Sequence, residues 1–339
     1  MHVTVARPEE LGPSEARRWA EFQRLSPIMS NPFLSLSYAR AIGRARPNAR
    51  VAVVEEGRKI EAFLPYELTC RGIGGPLGGP MTGLDGIVSS GAALDMRAVV
   101  RMASLRGWRF FHAPAEQRAL NRYRYGYSYH GNAVFIINLT DGYDAYLRSR
   151  SRSLTKATAK QRQALERQFG PISLEWSSSS REHLHQLFEW KSAQFDSVRE
   201  MYSDPTQRAV EELITADARD CSGIVSVLSA GERMIAVNLY LVGPRYLCGW
   251  EVAYDRDFAR FSPGTIMFLA LVEEAANRGF TWIDLGYGQD HYKQRLANDS
   301  YPIAGGAVWA SRVEGASRTI YRRLIYEPRM RHKAAQGQN

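Results

Sequence analysis

One stretch constrains the fold more than any other. From Gly223 to Asn298 the chain alternates strand and tight turn, then adds a capped helix and a further strand. Strands are expected over Gly223–Ser229, Arg233–Val242 and Arg245–Val252, with Gly231-Glu232 and Gly243-Pro244 as the turns between them. Ser262-Pro263 then supplies an N-cap and a first-turn proline for a helix over Gly264–Arg278, and Gly279 sits where a helix C-cap belongs. A strand over Thr281–Gly286 follows. Three antiparallel strands, a helix and a returning strand bury their apolar faces as a half-sheet with the helix laid across it.

The last of these strands carries an acid. Alternation puts Trp282, Asp284 and Gly286 on one face and Ile283 and Leu285 on the other. An unpaired buried carboxylate is costly. Two readings therefore stand: Asp284 handles a proton or orients Lys293, or it pairs with an arginine or caps the next turn. The strand feeds Gly286-Tyr287-Gly288-Gln289-Asp290-His291-Tyr292-Lys293. Its glycines can bring backbone N–H groups close to a ligand. The segment is not a dinucleotide fingerprint, because the third glycine is missing and the preceding order is not βαβ. Tyr292 can donate a hydrogen bond, Lys293 can contact a phosphate or carboxylate, and His291 can act as a base. The structural alternative is a packed tyrosine, a solvated lysine and an ordinary loop histidine. The helix start at Phe261–Thr265 is a potential anion site, depleted by Pro263, which has no N–H.

Upstream, helices are expected over Glu15–Leu25 and, after Asn31-Pro32-Phe33, over Ser37–Arg44. A hairpin turns at Glu56-Gly57-Arg58. The glycine-rich stretch Arg71–Gly91 lacks the Gly-Lys-Ser/Thr ending of a P-loop, and we read it as irregular loop lining a cleft. A helix over Asp95–Arg106 and strands over Trp108–Ala113 and Ala133–Leu139 follow. One long helix is expected from Tyr143 to Phe169, stopped by Gly170-Pro171. On it Arg148, Arg152, Lys156 and Lys160 recur every four residues, with Arg150, Arg162 and Arg167 alongside and Glu166 as the one acid. A solvated helix face usually mixes both signs, so this stripe suits an anionic ligand. A strand over Ile172–Trp176, helices over Glu182–Asp196 and Pro205–Ala218, a strand over Gly306–Arg312 and a basic tail, Arg318–Lys333, complete the chain.

The 339 residues suffice for two domains, and the boundary is placed near Asp141. The net charge of +9 favours an anionic partner: a nucleotide-bearing cofactor, RNA, an acidic polymer or anionic lipid. Three scattered cysteines form no CxxC pair, and His183 and His185 point to different helix faces, so no zinc site or disulfide framework is indicated. Neither Gly-x-Ser-x-Gly nor HExxH occurs. No apolar run is long enough to span a membrane, and Met1–Arg7 lacks a signal-peptide pattern, so a cytoplasmic location is expected.

The Phe261-Ser262-Pro263-Gly264 helix start, the Asp284-Leu285-Gly286 strand and the Tyr292-Lys293 pair, preceded by the basic helix, resemble the FemAB-like branch of the GNAT acyltransferase superfamily. Within that branch the chain looks most like the acetyltransferases linked to cellulose and exopolysaccharide biosynthesis. The resemblance covers Tyr143 to Trp309, and Asn31-Pro32-Phe33 before a helix is similar to the degenerate first domain of that branch. It implies an α/β (α+β) fold of tandem GNAT-like domains with mixed sheets flanked by helices. Residues 1–140 would be the degenerate domain, 141–315 the catalytic domain and 316–339 a basic tail. It further implies transfer of an acyl group to an amine or hydroxyl of a small molecule, peptide or saccharide. The donor would lie along splayed central strands. Asp284, Tyr292, Lys293 and Glu251 become the catalytic candidates, and Ser262, Gly264, Thr265, Arg152, Lys156 and Lys160 the donor-binding ones. No metal and no tightly bound cofactor is implied; acyl-CoA is the co-substrate. Because Arg260–Gly264 offers fewer N–H donors than a glycine-rich loop, aminoacyl-tRNA or a carrier thioester stands as an alternative donor. A non-catalytic scaffold in a polysaccharide or envelope assembly is the third reading. On the enzymatic reading Asp284→Asn and Lys293→Ala abolish turnover and leave the melting temperature nearly unchanged.

Overall fold

The computed structural model describes residues 1–124, 133–194, 204–216, 218–288 and 291–321. Its strands are β1 (His2–Ala6), β2 (Ala49–Glu56), β3 (Lys59–Leu68), β4 (Ile73–Gly75), β5 (Val88–Ser89), β6 (Gly107–Pro114), β7 (Ala133–Asn138), β8 (Ile172–Glu175), β9 (Ser222–Ala230), β10 (Arg233–Val242), β11 (Tyr246–Tyr254), β12 (Trp282–Tyr287) and β13 (Asp299–Trp309). The helices are α1 (Pro13–Gln23), α2 (Leu36–Ala45), α3 (Met96–Met102), α4 (Tyr143–Ser149), α5 (Arg152–Phe169), α6 (Arg181–Gln194), α7 (Asp204–Thr215), α8 (Pro263–Asn277), α9 (His291–Leu296) and α10 (Arg312–Tyr321). Among the described residues no helix is long and apolar enough to cross a membrane. Asp196, Gln289, Asp290 and the tail from 322 onward lie outside the described residues.

The strands form one continuous mixed sheet in the order β1-β2-β3-β4-β6-β13-β7-β12-β11-β10-β9-β8, with β5 on β3. The expected half-sheet is its second part. β9, β10 and β11 form an antiparallel meander, and α8 crosses over so that β12 returns parallel to β11. Two strands cross the 140/141 line. β7 lies between β12 and β13 in the C-terminal part, while β13 pairs with β7 through Asp299–Pro302 and with β6 through Ile303–Trp309. The N-terminal lobe and the C-terminal lobe are therefore stitched by β13, and one apolar cluster spans both, joining Trp19, Phe22 and Phe63 to Ile136, Leu241, Tyr246 and Tyr301.

Three expectations change. The run Tyr143–Phe169 is two helices, α4 and α5, because Arg150 is extended and the Ser151 side chain accepts from the Leu154 N–H at 3.3 Å, capping α5. Arg148 and Arg150 thereby leave the stripe, and Arg150 donates instead to the Arg295 and Ala297 carbonyls. The helix begun at Asp95 stops at Met102, since Ser104 turns into the left-handed region at φ 57°. The strand expected over Gly306–Arg312 is the far end of the longer β13.

The register of β13 shifts between Ala304 and Gly306, where it passes from one half of the sheet to the other. A Cβ on Gly306 would overlap the Phe110 ring and the Tyr123 carbonyl. Gly306→Ala is therefore expected to destabilise the protein by about 1–3 kcal/mol, read as a lower midpoint in urea unfolding.

Candidate active site

β11 and β12 pair only where Tyr246–Cys248 face Trp282–Asp284; beyond that both strands run on without pairing to each other. They part at Gly249, whose absent Cβ would sit 3.0 Å from the Asp284 carbonyl oxygen, so a side chain there would push the strands apart where they still pair. β11 also bulges. Leu239 pairs with Glu251 and Tyr240 with Gly249, leaving Trp250 as the extra residue. A bulge re-aims the side chains beside it, and here Trp250 and Glu251 both line a cavity of about 280 Å³ at the mouth of the wedge.

The cavity lies between the lobes. One wall is Phe33 with Pro80–Gly83 from the glycine-rich stretch, the floor is Asn238 and Gly249–Val252, and the far wall is Leu285–Tyr287 with Tyr292 and Lys293. The first wall is tied down. Asn31 Oδ1 accepts from the Phe33 N–H at 2.9 Å, the Phe33 ring meets Trp250 edge-on at 5.6 Å, and Trp250 Nε1 donates to the Met81 carbonyl at 2.8 Å. Gly83 is glycine because a Cβ would come within 2.5 Å of the Phe33 ring. Across the cavity Tyr287 stacks on His112 of β6 with ring centroids 3.7 Å apart. Burial, then the charges of Asp85 and Glu251, push the Tyr287 hydroxyl up to about 12. Asp85 itself is buried, which raises it to about 7 against the N–H groups of Phe111 and His112 that it accepts at 2.8 and 3.0 Å.

Of the four catalytic candidates, Glu251, Tyr292 and Lys293 line the cavity. Glu251 pairs with Lys191 of α6 at 2.7 Å, with side chains 13% and 16% exposed. Lys293 donates to the Tyr287 carbonyl at 2.5 Å and so braces the strand-to-helix turn. Asp284 is 2% exposed and points away from the cavity. Its Oδ2 accepts from Asn31 Nδ2 at 2.9 Å, the Tyr246 hydroxyl at 3.0 Å and the Tyr301 hydroxyl at 3.3 Å, and its Oδ1 from the Gly286 N–H at 2.6 Å. The Gly286 N–H is thus committed to Asp284 rather than to a ligand, and among the described residues no arginine enters these contacts. Burial raises Asp284 to about 6, opposed by the Gly286, Tyr246 and Tyr301 hydrogen bonds and by Lys293. Burial, then the Asp284 charge, holds the Tyr246 and Tyr301 phenols protonated and able to donate.

The donor-binding candidates lie apart from this cavity, around the start of α8. Ser262 occupies the N-cap position at φ 54°, ψ 55° but caps nothing; its Oγ is bonded to Gln161 Nε2 of α5 at 3.1 Å. Pro263 has no N–H and the Thr265 N–H goes to the Ser262 carbonyl at 2.9 Å, so the helix end is short of donors. The space at Gly264 is open, since a Cβ there would meet nothing within 4 Å. Lys160 joins Ala157, Gln161, Ala164, Arg260 and Phe261 along an open groove of about 410 Å³, while Arg152 and Lys156 stand exposed on α5 outside it. Sequence reasoning missed Lys191, Trp250, His112 and the side-chain role of Asn31. Only Asn31 left a signal, in the Asn31-Pro32-Phe33 break.

Residues 152–294 match the acetyltransferase (GNAT) domain family. This segment, less than half of the chain, is what the chain has in common with that family. The chain shares its fold with FemX, at a TM-score of 0.62 and 10% identity over 96% of this chain and 100% of that one. A tandem GNAT protein from the clavulanic acid biosynthesis pathway aligns at a TM-score of 0.52 and 10% identity, covering 91% of this chain and 98% of its own. The C-terminal DUF2156 domain of a protein described as a lysylphosphatidylglycerol synthetase, from Agrobacterium fabrum, aligns at 0.57 and 14% identity, covering 91% and 94%. No curated protein sequence matches the chain.

The geometry of Asp284 reverses one expectation about stability. In Asp284→Asn the amide nitrogen must face either Asn31 Nδ2 with the two phenols or the Gly286 N–H, so one donor meets another in either orientation. The variant is expected to lose about 1–3 kcal/mol. Because ionising Asp284 costs the folded state more than the unfolded one, its contribution is complete below the ordinary value of 3.8 and is lost as the pH rises through about 6. The stability gap between wild type and variant should therefore be wider at about pH 4.5 than at about pH 7.5, measured by denaturant unfolding.

Proposed function

We propose that this protein transfers an acyl group from an acyl thioester, acyl-CoA first among the candidates, to the amine of a small acceptor seated between the lobes. The observation that carries this reading is the wedge between β11 and β12, opening on a cavity with Glu251 at the bulge. Strand edges left unpaired by the wedge can hydrogen-bond the amide groups of an extended donor arm. The thioester then lies beside Glu251 and Tyr292, and the groove by Lys160 and Arg260 takes the donor's anionic end.

In the reaction the amine nitrogen bonds to the thioester carbonyl carbon while Glu251 takes the proton that the amine gives up. Collapse of the tetrahedral species breaks the C–S bond, and the Tyr292 hydroxyl supplies the proton to the departing thiolate. Lys293 and Asp284 act by position: Lys293 holds the Tyr287 carbonyl, and Asp284 holds the Gly286 turn and the Asn31 side chain behind Phe33. Acyl-CoA, an amine acceptor and a chain with no described membrane-crossing helix suit a reaction in the cytoplasm.

Glu251→Gln is expected to lower kcat/KM about 10²–10⁴-fold in a thiol-release assay while acetyl-CoA still binds by calorimetry. Wild-type turnover in this variant would remove Glu251 from the mechanism.

A second reading, an aminoacyl-tRNA donor, rests on the donor-poor start of α8 beside the exposed Arg152, Lys156 and Lys160. An RNA donor would lose on the order of 10³-fold in affinity between about 50 and 200 mM salt, because bound phosphates release counterions. A titration series that stays nearly flat with salt supports acyl-CoA.

A further inference from the structure

Asn238 stands between Val237 and Leu239 in β10, a strand paired on both edges, and is 1% exposed. Its Nδ2 donates to the buried Tyr240 hydroxyl two residues on. Among the described residues its Oδ1 accepts from nothing, and the side chain lines the cavity. Both residues face α8: Tyr240 packs with Phe268, while Leu239 between them packs with Leu187 of α6. A leucine at 238 and a phenylalanine at 240 would need no hydrogen bond at all. Their mutual contact therefore does not explain the pair, since it leaves one amide atom unanswered, and a buried polar group without a partner is costly. That atom faces the space open to a ligand.

Resting on the acyl-transfer reading, we propose that the donor carries a short hydroxyacyl group, whose hydroxyl on C2 or C3 hydrogen-bonds the Asn238 amide. Val252, Phe268 and Leu285 line the same part of the cavity and give the acyl carbons an apolar seat. The cavity of about 280 Å³ is shared with the acceptor, which keeps the acyl group short. A plain hydrocarbon would displace water from Asn238 and set a methyl group against it, leaving the amide unsatisfied. A hydroxyl both donates and accepts. It serves Oδ1 directly, and it serves Nδ2 when the amide is turned over and the Tyr240 phenol donates. An aminoacyl group would instead bring an ammonium to a neutral amide, and a charge taken out of water needs a carboxylate beside it. Glu251 lies opposite Leu239, on the α6 side, and is paired with Lys191. In the transfer the acceptor's free amine bonds through nitrogen to the thioester carbonyl carbon and gives one proton to Glu251. The C–S bond breaks, and the thiolate takes the Tyr292 proton. Solvent then reprotonates Tyr292 and removes the proton from Glu251, and the hydroxyl is carried unchanged into the amide product.

The test uses thioester pairs of equal size, glycolyl-CoA against propionyl-CoA and 3-hydroxypropionyl-CoA against butyryl-CoA, titrated calorimetrically into the full chain. In at least one pair the hydroxyacyl ester should bind on the order of tenfold tighter or more, because a site built around a hydroxyl rejects the analogue that lacks it. Asn238→Leu should bring that ratio to about one. Tyr240→Phe, which removes the phenol holding the amide, should reduce it as well and provides a second variant of milder kind. Equal binding within both pairs, or a preference unmoved in both variants, overturns the proposal and leaves the acyl-transfer reading standing, since the CoA esters still bind. The N-acetylcysteamine thioesters of the same four acids, compared by competition NMR, separate the two in the other direction. A hydroxyl preference that needs Asn238 among these esters, in a protein that binds no CoA ester, keeps the acyl assignment and sinks acyl-CoA as the donor. Absence of binding by every ester of both kinds overturns both.

Discussion

Asp284 carries a charge into the middle of the sheet, and both lobes meet on it. Burial alone would make this expensive. The carboxylate is retained because donors converge on it from four places: Asn31 in the N-terminal lobe, Tyr246 on β11, Tyr301 on β13 and the Gly286 N–H just beyond it. Each contact fixes something the cavity needs. Asn31 uses its amide oxygen to hold the Phe33 turn, Tyr246 ties the neighbouring strand β11 to Asp284, Tyr301 reaches it from β13 across β7, and Gly286 lies ahead of Tyr292 and Lys293. A fully satisfied buried network of this kind specifies one arrangement, because any partner withdrawn leaves a desolvated group. Asp284 thus ties the walls of the cavity together without lining it.

The opening itself follows from how β11 is built. Gly249 permits the last close approach to β12, the strands then part, and the extra residue at Trp250 turns Glu251 into the gap. A sheet seldom leaves backbone groups unpaired at its centre without a reason. Here the unpaired edges border a cavity, with Gly249–Val252, Leu285–Tyr287, Tyr292 and Lys293 of the C-terminal lobe on one side and Phe33 and the Pro80–Gly83 segment of the N-terminal lobe on the other. The strand β13, shared by both parts of the sheet, keeps that closure in register.

Much of the C-terminal half-sheet was legible residue by residue. Gly231 and Gly279 have positive φ, the Arg233–Val242 strand has the expected bounds, and α8 begins at Pro263. Such signals are local: turn glycines, a proline at a helix start, apolar alternation. They mislead where two local solutions compete. Ser151 served as an N-cap and divided a run whose spacing suited a single helix, and Ser262 reached the cap position in a left-handed conformation in which its side chain bonds Gln161 instead.

The site was half legible for the same reason. Tyr292 and Lys293 were named from the resemblance and from their crowding near the Gly286 turn, Glu251 was set beside them as a catalytic candidate, and all three reach the cavity. Lys191 and His112 are far from them in the chain, so no spacing connects them, and the bulge at Trp250 exists only in the pairing of β11 with β10. By itself the amino-acid sequence determined the order of strands and helices, the turn positions and the presence of an acid on β12, because short-range sterics and side-chain period act within a few residues. Only the tertiary structure decided which face the acid presents, what satisfies it and where the sheet opens. Those depend on hydrogen bonds between segments hundreds of residues apart, such as Asn31 to Asp284.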